Sequence, residues 1–198
     1  MIRAVLWDAD GVLQRNLTPW EDRVAAVIGA ERVPAFAEEL WAVSAEALVG
    51  EVDFARHIDL VLERQQLLDL RDDLLATWRD LEAVRQAHDV VARVRRRVPC
   101  YLASNQDSHR SRVMREHLRY DDLLDGYFFS CEVGAAKPDE AFFEHVVGTL
   151  GVPAGELLFV DDLAANVAAA RVCGLRAEQW HHDDGIEALD ALLACHGL

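Results

Sequence analysis

Four short apolar runs, each broken off by polar residues, constrain this chain more than any other feature: residues 2–7, 98–103, 157–160 and, more weakly, 175–180. A shorter run at 127–129 adds a fifth. Runs of this length, closed by turn-forming or acidic residues, read as buried strands. Between them apolar residues recur at helical spacing, as in Val84, Ala87, Val91, Val94 and Val98, in Phe142, Val146 and Leu150, and in Leu163, Val167 and Ala170. Strands alternating with helices predict an α/β fold: a Rossmann-like parallel sheet with helices on both faces. The one basic run, at 93–98, is expected to close a helix, where cations complement the macrodipole.

Residues 14–82 break this rhythm. They carry no convincing strand and four helical patterns: Trp20 to Ile28, Phe36 to Ala47, Phe54 to Leu62 and Leu74 to Leu81. A connection this long between strands is far above the usual length. It predicts a small helical cap, residues 14–82, inserted into a core made of residues 1–13 and 83–198. At 198 residues and 52% hydrophobic composition, one domain with an insert has ample core.

A net charge of −15 argues against nucleic-acid or anionic-membrane partners, because phosphate contacts need Lys and Arg. Cys100, Cys131, Cys173 and Cys195 show no metal-ligand spacing and are expected to be reduced thiols of a cytoplasmic protein. The apolar start, MIRAVLW, is too short for a signal peptide or membrane span. The chain is compatible with a monomer or a homodimer.

In an open parallel sheet, ligands gather at the carboxyl ends of the strands. The first strand runs into Asp8 and Asp10, the second into Ser104 and Asn105, and the strand LLFV into Asp161 and Asp162. Of the four Asp-Asp pairs in the chain, at 72–73, 121–122, 161–162 and 183–184, only 161–162 follows directly on an apolar strand. Two like charges about 4 Å apart repel by roughly 4 kcal/mol at an effective dielectric near 20. Asp8, Asp10, Asp161 and Asp162 together therefore call for a cation, and hard carboxylate oxygens suit Mg²⁺. Lys137, next to Pro138 at an expected helix start, would add positive charge. Adjacent His181 and His182 should point apart, which argues against a metal pair.

The set WDADGVL, LASNQ, AAKPDEAFF and FVDDLAANVAAARVCGL, in this order, resembles the haloacid dehalogenase superfamily, and within it the capped, small sugar-phosphatase-like members. The resemblance implies a Mg²⁺-dependent hydrolase of small phosphomonoesters, of the sugar phosphate or nucleotide class. Asp8 would be the nucleophile and form a phosphoaspartyl intermediate. Asp10 would protonate the leaving oxygen and later activate water, and its backbone carbonyl would bind the metal. Ser104 would hydrogen-bond the phosphoryl group, with Asn105 close by at the substrate, and Lys137 would neutralise charge and restrain Asp8. Asp162 would be a direct metal ligand, with Asp161 acting directly or through water. Asn166 would orient Lys137 or Asp162. Substrate-selecting candidates are Gln14, Arg15, Trp20, Glu51, Arg56 and His57. An acid at position 10 disfavours dehalogenation, since a departing halide needs no proton. The alternatives are a sugar-phosphate phosphomutase, which would need a phosphate-binding cation such as Arg15 or Arg56 in the cap, and a non-catalytic binding protein of the same fold.

Overall fold

The computed structural model describes residues 1–198. Seven strands form in chain order: β1 (Ala4–Trp7), β2 (Gln14–Asn16), β3 (Leu81–Ala83), β4 (Cys100–Ser104), β5 (Gly126–Phe129), β6 (Leu157–Asp161) and β7 (Arg176–Gln179). Five of them make one parallel sheet in the order β5-β4-β1-β6-β7. Every residue of β1 and β6 is buried. Alternate side chains of a strand point to opposite faces. Accordingly Val5, Trp7, Leu102 and Val160 enter one apolar cluster, while Ala4, Leu6, Ala103 and Phe159 enter another. Both faces of the sheet are thus covered by helices, as the continuous apolar runs require.

The insert folds as five α-helices: α1 (Trp20–Ile28), α2 (Val33–Trp41), α3 (Ser44–Leu48), α4 (Phe54–Arg64) and α5 (Arg71–Ala76). The pattern read as one helix over Phe36 to Ala47 breaks at Ala42–Val43, giving α2 and α3. Aromatic rings fill the centre of the insert. Trp20 stacks on Phe36 and meets Trp41 and Trp78 edge-on. The insert also contains two strands that the sequence pattern does not show. β2 and β3 pair antiparallel and close the neck of the insert, with Arg15 and Glu82 ion-paired across them.

The remaining helices are α6 (Arg85–Arg95), α7 (Ser108–Leu118), α8 (Tyr120–Leu123), α9 (Ser130–Val133), α10 (Glu140–Leu150), α11 (Ala164–Val172) and α12 (Ile186–Cys195). The basic run at 93–98 does lie at the end of α6. Pro138, however, precedes its helix rather than opening it. Asp139 is the N-cap of α10 and accepts from the Ala141 amide. Connections from β1 and β6 depart to opposite sides, which makes the gap between these strands the switch point of the sheet. Trp7 lies in register with Leu102 on one side and Val160 on the other. The residues just past these three strand ends are therefore neighbours.

Candidate active site

A cavity of about 320 Å³ opens at this switch point, lined by Asp8, Asp10, Gly11, Ser104, Asn105, Gln106, Lys137, Asp162, Leu163, Asn166 and His181. Its floor is a buried charge cluster. Lys137 Nζ donates to Asp8 Oδ1 at 2.7 Å, to Asp161 Oδ2 at 2.6 Å and to the Ala103 carbonyl at 2.7 Å. The Lys137 side chain is only 1% exposed and that of Asp161 is fully buried. Burial opposes the lysine charge, but Asp8 and Asp161 outweigh it and hold the ammonium above its ordinary pKa. Burial also pushes the Asp8 carboxyl up to about 7, against the pull of Lys137 and with a push from Asp161.

Asp161 is fully engaged by the chain itself. Its oxygens accept from Lys137, from the Leu163 amide at 2.8 Å and from Asn166 Nδ2 at 3.0 and 3.1 Å. Asn166, expected against Lys137 or Asp162, orients Asp161 instead. Asp162 lies half-buried on the cleft wall, its carboxyl raised by burial and by neighbouring Asp161. Oxygen atoms of Asp8, Asp161 and Asp162 lie within 4.8 Å of one another. Three carboxylates against one ammonium leave excess negative charge, and all the donors are hard oxygens. This donor set fits Mg²⁺: Asp8 and Asp162 would present oxygens to it, while Asp161 is occupied by Lys137, the Leu163 amide and Asn166.

Asp10 reaches the cleft by a route other than an extended strand. The chain turns immediately after Asp8, and the Ala9 carbonyl accepts the amides of Val12, Leu13 and Gln14. Gly11 permits the turn with φ of +79°, and a Cβ there would sit 2.7 Å from Asp162 Oδ2. The Asp10 carboxylate accepts from Gln14 Nε2 at 3.0 Å, Gln106 Nε2 at 2.8 Å and Arg110 Nη2 at 2.8 Å. Burial raises its pKa, but the Arg110 guanidinium and the two amides outweigh that and hold it below the ordinary carboxylate value.

Gln106 and Arg110 are missing from the sequence expectation. Gln106 stands two residues beyond Ser104, a spacing that aims it at the same side, and it also donates to Ser104 Oγ at 3.1 Å. Arg110 lies in the first turn of α7, which Asp107 caps by accepting from the amides of His109 and Arg110. Gln14, expected to touch substrate, is instead completely buried behind Asp10, where its Oε1 accepts from Tyr120 at 2.9 Å. Arg15 pairs with Glu82 outside the cleft. Asn105 spends both ends of its amide on the backbone of Lys137, at 2.7 and 2.8 Å. In the insert, His57 is buried against the Glu39 carbonyl, Trp20 packs among aromatics, and neither they nor Glu51 and Arg56 line the cleft. The phosphate-binding cation that a mutase would need is therefore not supplied by Arg15 or Arg56 in this arrangement.

The profile of the haloacid dehalogenase-like hydrolases matches residues 2–174. The chain belongs to this family. Among curated relatives, sesquiterpene phosphatase astK of Aspergillus oryzae is 37% identical over 101 residues, 50% of this chain and 46% of that protein. Flavin mononucleotide hydrolase 1 of Arabidopsis thaliana is 36% identical over 74 residues, 37% of this chain and 30% of that protein. The chain spans less than half the length of these relatives. A family enzyme of Bacteroides thetaiotaomicron, solved in complex with magnesium and inorganic phosphate, superposes with a TM-score of 0.77 at 20% identity, covering 90% of this chain and 94% of that one. That likeness is one of fold.

Proposed function

We propose that this haloacid dehalogenase-like hydrolase is a Mg²⁺-dependent phosphatase of small phosphomonoesters, working through a phosphoaspartyl intermediate on Asp8. The observation that carries this reading is the cleft floor. It pairs a carboxylate held by a buried lysine with a second carboxylate held by three donors, at the mouth of the sheet's switch point. In the first half-reaction an Asp8 oxygen attacks phosphorus while Asp10 protonates the departing oxygen. The Ser104 hydroxyl and the Lys137 ammonium receive the negative charge of the phosphoryl group. In the second, Asp10 takes a proton from the water that attacks the phosphoaspartate, releasing phosphate and restoring Asp8. Arg110 favours the ionised form of Asp10. A dianionic phosphate arriving nearby raises the proton affinity of Asp10 by like-charge repulsion, which suits the first step. Bound Mg²⁺ would supply further neutralisation of phosphate charge from its place beside Asp8 and Asp162. The helical insert of residues 14–82 acts as a cap that excludes water during transfer.

For the leaving group, the modest cleft supports the sugar phosphate or nucleotide class. A second reading, a phosphorylated isoprenoid alcohol, is favoured by Leu163, which is 56% exposed on the cleft wall, together with the sesquiterpene phosphatase among the relatives. The test is release of inorganic phosphate from an aryl phosphate, then from sugar, nucleotide and prenyl monophosphates. Release that requires Mg²⁺ and stops with EDTA supports the proposal. No release from any of these with Mg²⁺ present overturns it.

A further inference from the structure

The segment that follows β7 forms part of the cleft rim. The His182 amide donates to the Gly11 carbonyl at 2.8 Å, which ties this segment to the turn carrying Asp10. His181 lines the cleft, and its ring packs so close to Gly11 that a Cβ there would lie 3.0 Å from its Cδ2. The expectation that the two adjacent histidines diverge does not hold. Their ring centroids are 4.2 Å apart, because a short 3₁₀ turn at His182–Asp184 replaces the extended backbone. Both rings turn Nδ1 toward the Asp183 carboxylate, at 3.5 Å from His181 and 3.0 Å from His182. All three donor atoms lie within 4.8 Å of one another. Bonds of about 2.0–2.2 Å to a tetrahedral ion place neighbouring ligand atoms roughly 3.3 Å apart, and each imidazole already lies near that distance from one of the two Asp183 oxygens, Oδ2 for His181 and Oδ1 for His182. Two imidazoles and one carboxylate suit a borderline ion such as Zn²⁺ better than Mg²⁺. The partial exposure of the three side chains leaves a position for water as a fourth ligand. His181 Nδ1 also accepts the Asp183 amide at 3.2 Å, the cap of this turn, and an ion at Nδ1 would take the place of that bond.

We propose that His181, His182 and Asp183 bind one transition-metal ion of the Zn²⁺ class at the cleft rim, separate from the carboxylate site. The binding does not rest on the phosphatase reading. The full chain, saturated with Mg²⁺, is titrated with Co²⁺ as a spectroscopic probe and with Zn²⁺ by calorimetry. The proposal expects one Co²⁺ per chain with the visible bands of a four-coordinate site. Affinity should fall at least about tenfold in His182→Gln and in Asp183→Asn, with unchanged circular dichroism, and should persist in Asp8→Asn. Wild-type affinity in both rim variants, or loss of the site in Asp8→Asn, overturns it, as does no Co²⁺ binding in Mg²⁺. Binding at the rim in a chain that hydrolyses no phosphomonoester would sustain the site.

Discussion

Replacing Lys137 by Met probes the charge cluster beneath the cleft. Met conserves much of the side-chain volume but removes the single cation that faces Asp8 at 2.7 Å and Asp161 at 2.6 Å. Removing one partner of a buried ion pair costs about 3–5 kcal/mol, because the other charge stays buried and unpaired. Each kcal/mol lowers the melting temperature by about 2–4 °C in a chain of this size, so a fall of roughly 6–20 °C is expected. Part of that deficit should be recoverable. A divalent cation bound beside Asp8 and Asp162 relieves the same repulsion, so Mg²⁺ should raise the melting temperature of Lys137→Met more than that of the wild type. Phosphatase activity should fall at least about a hundredfold, since the phosphoryl group loses a buried positive neighbour. Thermal unfolding followed by circular dichroism, with and without Mg²⁺, measures all but the last. A variant that melts within about 2 °C of wild type and gains nothing extra from Mg²⁺ would refute the reasoning that Lys137 balances these two carboxylates.

Three further perturbations separate the parts of the account. Arg110→Gln removes a charge-assisted bond worth about 1.5–3 kcal/mol, so kcat should drop roughly 10–150-fold with KM little changed; an unchanged kcat in steady-state assays would dismiss Arg110 as a holder of Asp10. Gly50, at φ +77°, leaves room for no side chain, since a Cβ would lie 2.1 Å from the Cys131 carbonyl oxygen. Gly50→Ala should therefore lose more than the about 1–2 kcal/mol of left-handed strain alone, and wild-type stability in urea would contradict the close docking of this loop. Burial, with the Arg112 charge beside it, pushes His109 down to about 4. The unfolded chain then takes up this proton first, near pH 6.5. The stabilising contribution is full above about pH 6.5 and is lost as pH falls toward 4, so the melting temperature of His109→Gln should decline less steeply than wild type over that window.

The strand-end acids were legible because each sits where an apolar run stops, and burial of charge at that place has few explanations. The sheet was legible for the same reason: residues 157–160 have no polar alternative to a buried strand. What escaped the sequence depends on approach in three dimensions. β2 and β3 are three residues each and mostly polar, held by their mutual register and the Arg15–Glu82 pair rather than by any alternation. The helix that carries Arg110 buries only Val113 and Met114 among its large apolar residues, so its periodicity is faint. Arg110 itself reads as a surface cation until the helix start places it on Asp10, a hundred residues away in the chain. Gln14 shows the opposite error. Its position just after the first strand suggested contact with substrate, whereas the turn at Gly11 folds it under Asp10 and against Tyr120.

The central claim is that Asp8 attacks phosphorus. Initial rates of Mg²⁺-dependent phosphate release by wild type and by Asp8→Asn, at matched folding by circular dichroism, test it most directly. Asn keeps the shape of Asp8 but lacks the nucleophilic oxygen anion. The account predicts loss of activity by about a thousandfold or more in Asp8→Asn. A variant that releases phosphate at the wild-type rate would contradict it.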